Sequence, residues 1–484
     1  MIHQKIKNLF MSSVEHVCFN ISNYSVHPDI DFQRNRKISP QKLISFLVSQ
    51  DSSSTKVEML DFCGLDASSM PASSALNQQW QKLKPAALEA VFKHFNSSAI
   101  GLLPSTLSDR KYRFLAADGS TCTYFSTPSF SSADYYCSPG NSIRGVYSMY
   151  LNAFYDLTTH TYTDAMIQPV HEKNEFGAFC NMVDRHEIPA GKKNVYIGDR
   201  GYCSYNNMAH VLEQKQFFLF RTKDIHSRGL VSNFDFPEEE AFDIDVRVSL
   251  VRSHSRKVMT DPGTYKRFVD QASAFDYISY GSYDTYELAF RIIRFPLTES
   301  TYECIVANLP RDEFPPERIK ELYYTRWDIE SYFRKLKYTV GLSNFHSYKP
   351  QYIEQEIWAK LIAYNITETM INCTVLETHA TKHAYKVNFT MAAHICRVFL
   401  RLTTEKGQYD VMSLLQKELI PIRNDANTQG FKLLISGNHD ISYIGLHKHL
   451  YHYNFWKADT QSVFLSYHKN QKSSDFIWFM AARA

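Results

Sequence analysis

The 484-residue sequence predicts an α/β fold: a mixed-sheet core, a β-rich interruption of that core, and helical regions on either side. Three observations predict it. Apolar, β-prone runs gather between about residues 110 and 221, where they begin to alternate with helical stretches. Residues 222–300 break that rhythm with long alternating strands. Residues 1–105 and 349–484 carry mainly helical periodicity.

Composition narrows the class before any motif does. A hydrophobic content of 44% with 21% charged residues is that of a globular chain long enough for two to four domains. The net charge of +3 permits a nucleic-acid partner without implying one. Nine cysteines stand singly, none in C-x-x-C, which argues against a disulfide scaffold or a cysteine zinc site and for reduced thiols in a cytoplasm. The first twenty residues lack a long apolar core and a small-residue cleavage site. No run approaches the 18 apolar residues of a span, so neither secretion nor a membrane segment is expected.

In chain order, "NRKISPQKLISFLVSQ" offers Ser39 as an N-cap with Pro40 in the first turn, behind a basic cluster of Arg34, Arg36 and Lys37. "SALNQQWQKLK" and "PAALEAVFKHFN" continue the helical period to about residue 105. The core is expected over 106–221 and 301–348. "YRFLAAD" and "TCTYF" read as strands joined at Asp118-Gly119, a hairpin signal. "VYSMYLNAFYDL" and "TYTDAMIQPV" are strand-like, "KNEFGAFCNMVDRH" is helical, "NVYIGD" is a short buried strand, "YNNMAHVLEQKQ" is helical and "FFLFR" is a strand. Within 222–300, "AFDIDVRVSLV" puts Phe242, Ile244, Val246, Val248 and Leu250 on one face, and "YELAFRIIRFPL" follows as a second strand. "TYECIVANLP" then returns to the core, and "YIEQEIWAKLIAYNITETMI" opens the helical region 349–484.

Residues 321–338, "ELYYTRWDIESYFRKLKY", carry the chemistry. Pro315-Pro316 start a helix and nothing interrupts it before Gly341, so one helix is predicted from about Pro316 to Val340. At 100° per residue Tyr323, Arg326, Glu330 and Lys337 fall within about 60° of arc, a carboxylate flanked by two cations and a phenol. Alone, this is equally an amphipathic surface with a weak Arg326–Glu330 pair. Two more acids stand at apolar strand ends, Asp118 in "RFLAADGST" and Asp199 in "NVYIGDRGY". Singly, each reads as a turn residue. Together with Glu330 they make a set of hard oxygen donors suited to Mg²⁺ and to phosphodiester chemistry, which two such ions support. Walker, dinucleotide-glycine, His-Glu-x-x-His and Gly-x-Ser-x-Gly patterns are absent from the sequence.

These residues carry a resemblance. Tyr323, Arg326, Glu330 and Lys337 match Y-x2-R-x3-E-x6-K, and "ADGST" and "IGDRGYCSYN" look like the two aspartate blocks that accompany it. Over about 110–370 the chain resembles DDE transposases of the insertion-sequence family numbered four. The resemblance implies a ribonuclease-H-like core interrupted by the β insertion, with Asp118, Asp199 and Glu330 binding two Mg²⁺ ions, Mn²⁺ being able to substitute. It implies DNA contacts near the scissile phosphate from Tyr323, Arg326 and Lys337. Expected partners are double-stranded DNA, as terminal inverted repeats and target, and a second copy of the chain on paired ends, with no membrane. The expected location is cytoplasmic, on the nucleoid if the source is bacterial, and residues 1–105 are expected to bind DNA ends. The implied reaction is cut-and-paste transposition. Alternatives are a nuclease with the same core but no strand transfer, a DNA-binding relative without catalysis, and a carboxylate-pair hydrolase.

Overall fold

Ten segments rich in aromatic and β-branched residues join in one mixed sheet in the computed structural model of the chain. They are β1 (Tyr112–Tyr124), β2 (Tyr136–Cys137), β3 (Val146–Asp156), β4 (Thr161–Pro169), β5 (Lys193–Gly198), β6 (Phe217–Thr222), β7 (Phe242–Val251), β8 (Lys266–Phe268), β9 (Thr285–Pro296) and β10 (Tyr302–Ala307). The order across the sheet is β2-β3-β1-β5-β6-β10-β9-β7-β8, with β4 also paired to β3. In its centre β1, β5 and β6 run parallel, while β3 is antiparallel to both β1 and β4. That centre, β4-β3-β1-β5-β6, is the mixed-sheet core expected above. The structure describes residues 1–138, 145–232, 234–255, 266–298, 301–376, 384–402 and 409–422. The fold below is that of the unit Met1–Pro421.

Helices cover both faces of the sheet. α1 (Ile2–Phe19), α2 (Pro40–Ser49), α3 (Thr55–Phe62), α4 (Ser73–Trp80), α5 (Pro85–Ala99) and the single turn α6 (Ser105–Ser108) precede it. Ser39 caps α2 by accepting the Lys42 N–H, with Pro40 in the first turn. α7 (Glu175–Arg185) and α8 (Tyr205–Glu213) lie between strands, and α9 (Pro316–Tyr324) and α10 (Asp328–Arg334) follow β10. α11 (Pro350–Asn372), α12 (Phe389–Arg401) and α13 (Val411–Lys417) come last. On one face Ala116, Leu151, Val195, Ile197 and Ile305 pack with Phe10, Phe92, Ile357 and Phe399 of the N- and C-terminal helices and with Leu322, Ile329 and Phe333 of α9 and α10. On the other, Leu115, Phe154, Tyr196 and Phe220 meet Phe179 and Val183 of α7 and Met208 and Val211 of α8.

Three features differ from the sequence reading. Asp118-Gly119 is no hairpin: β1 runs through it, paired without a break to β3 from Leu115 to Tyr124. Glycine is needed there because a Cβ would lie 2.4 Å from the Tyr150 hydroxyl, a contact made across the sheet and invisible to turn statistics. The strands of 222–300 continue the main sheet, since β9 pairs with β10 and β10 with β6. Residues 256–265, between β7 and β8, lie outside the described residues, as do 423–484 of the C-terminal region. Finally, the helix expected over 316–340 is segmented. A 3₁₀ turn at Thr325–Trp327 separates α9 from α10, and a π-helical turn at Lys335–Thr339 ends the run before Gly341, whose φ is +90°.

Candidate active site on the sheet

Asp118 and Asp199 are brought together by strand register. The parallel pairing of β1 with β5 ends at Ala116 opposite Ile197. Asp118 and Asp199 each follow the last paired residue by two positions, and the Asp199 charge reaches the Asp118 carboxyl. Both sit at the C-terminal end of the parallel pair, where an open α/β sheet exposes side chains from a rigid frame. Asp118 Oδ1 accepts the Gly119 N–H at 2.8 Å, and Asp199 Oδ1 accepts the Gly201 N–H at 2.8 Å. Each carboxylate is thus fixed by one backbone bond and keeps lone pairs for another partner.

Charge ties this pair to the segmented helix. Burial pushes the Asp118 carboxyl up to about 6; the Gly119 N–H and the Arg326 guanidinium oppose the shift, and the Glu330 and Asp199 carboxylates add to it. Burial also works against the charge on Arg326, but Tyr323, Asp118 and Asp199 outweigh it and hold its pKa above the usual value. Arg326 is 3% exposed, 4.4 Å from the Trp327 ring centroid, and its Nε has no hydrogen-bond partner. Tyr323 is fully buried beside Arg326, its pKa pushed up to about 12 mainly by burial. Glu330 is exposed and Lys337 partly buried, the Lys337 charge reaching Cys122 on β1. Cys122 shares a strand face with Asp118, so Lys337 lies over the same strip of sheet.

The four helix residues therefore do not form the uniform exposed stripe drawn at 100° per residue. Tyr323 and Arg326 are buried, Arg326 within reach of the aspartate charges, and Glu330 is exposed. The π-helical turn has a visible partner: the Lys335 ammonium is directed to the buried Glu368 of α11, 3.5 Å away, and over the Phe389 ring at 4.5 Å.

Among the described residues no three His, Cys, Asp or Glu side chains are gathered tightly enough to hold one metal ion. A hard cation nevertheless fits the chemistry of the aspartate pair, which presents two anionic oxygen donors with Asp118 strained toward protonation by its surroundings. Glu330 joins the pair through charge rather than at ligating distance.

The structure adds residues the sequence did not single out. Tyr150 of β3 lies across Gly119, donates its hydroxyl to Glu175 of α7, and carries Lys173 over its ring at 3.9 Å. The negative charges of Asp118 and Asp199 help raise the Tyr150 pKa, so this phenol borders the pair. Glu303 of β10 pairs with Arg221 of β6 at 3.0 Å beneath α9. Its one sequence signal was an acid inside the apolar run "YECIVA".

Two aspartates, one within β1 and one just past the end of β5, under the charge of Arg326 and Glu330 make a carboxylate site of a kind suited to a hard cation and a phosphate. The profile of the family described as "Transposase DDE domain" matches residues 109–366, more than half of the chain, and the protein belongs to that family. Membership implies dependence on a divalent metal ion. Transposase InsG for insertion sequence element IS4 of Escherichia coli (strain K12) is 42% identical over 55 residues, which span 11% of this chain and 12% of that relative. A piggyBac transposase synaptic complex with hairpin DNA, solved by cryo-EM, aligns with 86% of this chain and 81% of its own at 10% identity and a TM-score of 0.41. No helix among the described residues is long and apolar enough to cross a membrane.

Proposed function

We propose that the protein is a DNA transposase that cleaves the ends of a mobile element and joins them to target DNA, with Asp118, Asp199 and Glu330 as its catalytic acids. The observation that supports this reading is the mutual electrostatic influence of Asp118, Asp199, Arg326 and Glu330, in a chain of the transposase DDE domain family. The short InsG match supports an insertion sequence as the source element.

Asp118 and Asp199 would hold Mg²⁺, two ions in the full site, with Glu330 completing the donor set; Mn²⁺ should substitute. When bound, the metal would polarise the scissile phosphate and make water or a 3′-OH a competent nucleophile. The protein's own groups do the rest. Arg326 balances the aspartate charge and offers its free Nε to a phosphate oxygen. Lys337 offers a second cation along β1 to orient the strand. Buried polar atoms without partners are rare, and a substrate phosphate would satisfy the one at Arg326. Residues 1–105 and the region from 349 on are the candidates for end binding and for pairing two copies on two ends. The exposed Arg34, Arg36 and Lys37 support the first assignment. Action on the bacterial nucleoid would follow from this reading.

The test is a supercoiled plasmid carrying the ends of the surrounding element, incubated with protein and Mg²⁺ and scored for nicked, excised and joined products. Joined products support transposition. Cleavage without joining favours a nuclease of the same core, and metal-independent cleavage would defeat both readings.

A further inference from the structure

Glu303 lies on the same face of the sheet as the aspartate pair. Ile305 is paired with Arg221 across β10 and β6, so Glu303, Ile305 and Arg221 project to one side, the side on which Ile305 packs with Ala116 and Ile197. Glu303 is 5% exposed. Its Oε1 lies 3.0 Å from Arg221 Nε in an ion pair, and Tyr324 of α9 hydrogen-bonds the same carboxylate. Burial raises its pKa, opposed first by the charge of Arg221 and then by those of Arg326 and Lys320. One buried carboxylate therefore faces the cation beside it, a second cation over Asp118 and Asp199, and a lysine of α9.

Arg221 and Glu303 also form part of the wall of a cavity of about 350 Å³, together with Arg200, Lys223, Arg228, Thr222, Asp224, Ser227 and Tyr302. The other acid there, Asp224, is bound to Arg294 at 2.8 Å. The cavity thus carries four cationic side chains against two acids that are already paired, and Arg200 directly follows Asp199. Holding a guanidinium by Nε leaves its two terminal nitrogens parallel and unspent, the fork that matches a phosphate.

We propose that Glu303 is a positioning residue: it grips Arg221 by Nε so that the free guanidinium edge faces the cavity and binds a backbone phosphate of the DNA strand beside Asp199. This rests on the reading of the protein as a DNA-cleaving enzyme. The charges of Arg221 and Arg326 both bear on Glu303, which links this ion pair to the helix over Asp118. A neutral side chain of the same shape loses that hold and leaves Arg221 without a fixed anionic partner.

The test uses the full chain and a labelled duplex bearing the element end, with Glu303→Gln, Glu303→Asp, Arg221→Ala and the Gln–Ala double variant. Affinity is measured across salt concentrations, alongside Mg²⁺-dependent cleavage and thermal melting. Glu303→Gln should weaken end binding about tenfold and flatten the slope of log Kd against log salt by about one phosphate contact, as Arg221→Ala does. The double variant should be no weaker than Arg221→Ala, and Glu303→Asp, which keeps the charge, should recover part of the loss even if Glu303→Gln folds poorly. Additive losses, or wild-type affinity and slope in Glu303→Gln, overturn the positioning role while wild-type cleavage leaves the enzyme reading intact. Failure of the wild type itself to bind and cleave DNA overturns both.

Discussion

Replacing Asp118 by Asn should make the protein more stable while removing its activity. The Asp118 carboxyl rises from 3.8 to about 6 in the fold because burial, with Glu330 and Asp199 nearby, disfavours its ionised form. A shift of about two units corresponds to about 3 kcal/mol, and to roughly half of that after screening at a partly exposed side chain. The sign follows from linkage. An acid that binds its proton more tightly folded than unfolded favours folding at low pH and loses that contribution as pH rises from 3.8 through about 6. Above that range the wild type bears the full cost, whereas Asn bears none and still accepts the Gly119 N–H. Urea denaturation without divalent metal should therefore find Asp118→Asn more stable by about 1–3 kcal/mol at pH 7.5, the gap closing as pH falls toward 4. Added Mg²⁺ should raise the stability of the wild type and leave the variant unchanged. An Asn variant less stable at pH 7.5, or a gap independent of pH, would refute the reasoning.

Arg326→Ala and Lys337→Ala should each lower end affinity or cleavage by about tenfold or more with Lys337→Ala still normally folded, since a surface pair costs at most about 1 kcal/mol while a phosphate contact acts on binding; gel shifts and melting curves separate the two effects. Gly119→Ala should destabilise by about 1–3 kcal/mol through overpacking against Tyr150, and Tyr150→Ala in the same chain should relieve part of it, as read by urea midpoints. End binding should weaken steeply with salt because phosphate neutralisation releases counterions, and a flat titration would argue against a DNA substrate.

The strands were legible because their signal is local. Alternation in "FDIDVRVSLV" and the apolar runs before Asp118 and Asp199 fix which residues enter the sheet and which face they take. The apolar runs ahead of them singled out both aspartates, though β1 continues through Asp118 to Tyr124 rather than ending there. What escaped depends on contacts between distant residues. Gly119 looked like a turn because its real reason, the Tyr150 ring, arrives from another strand. The 3₁₀ and π segments around Arg326 and Lys337 are marked by no glycine or proline; Lys335 reaches Glu368, 33 residues on, and local periodicity carries no trace of that. That β7–β9 would extend the main sheet depended on β10 returning between β6 and β9. Glu303 was a lone acid in an apolar strand until the fold set it against Arg221.

The central claim is that Asp118, Asp199 and Glu330 act as one metal-binding unit on DNA, and Glu330→Gln tests it most directly. Glu330 is exposed, so the near-isosteric amide should leave the fold intact, and removing a negative charge should not weaken attraction to phosphate. A neutral amide is nonetheless a poor donor for a hard divalent ion. Nicking of element-end DNA in Mg²⁺ should fall at least about a hundredfold with end binding preserved, and adding Asp118→Asn or Asp199→Asn should lower it little further. Near-normal nicking by Glu330→Gln would remove Glu330 from the site and contradict the account.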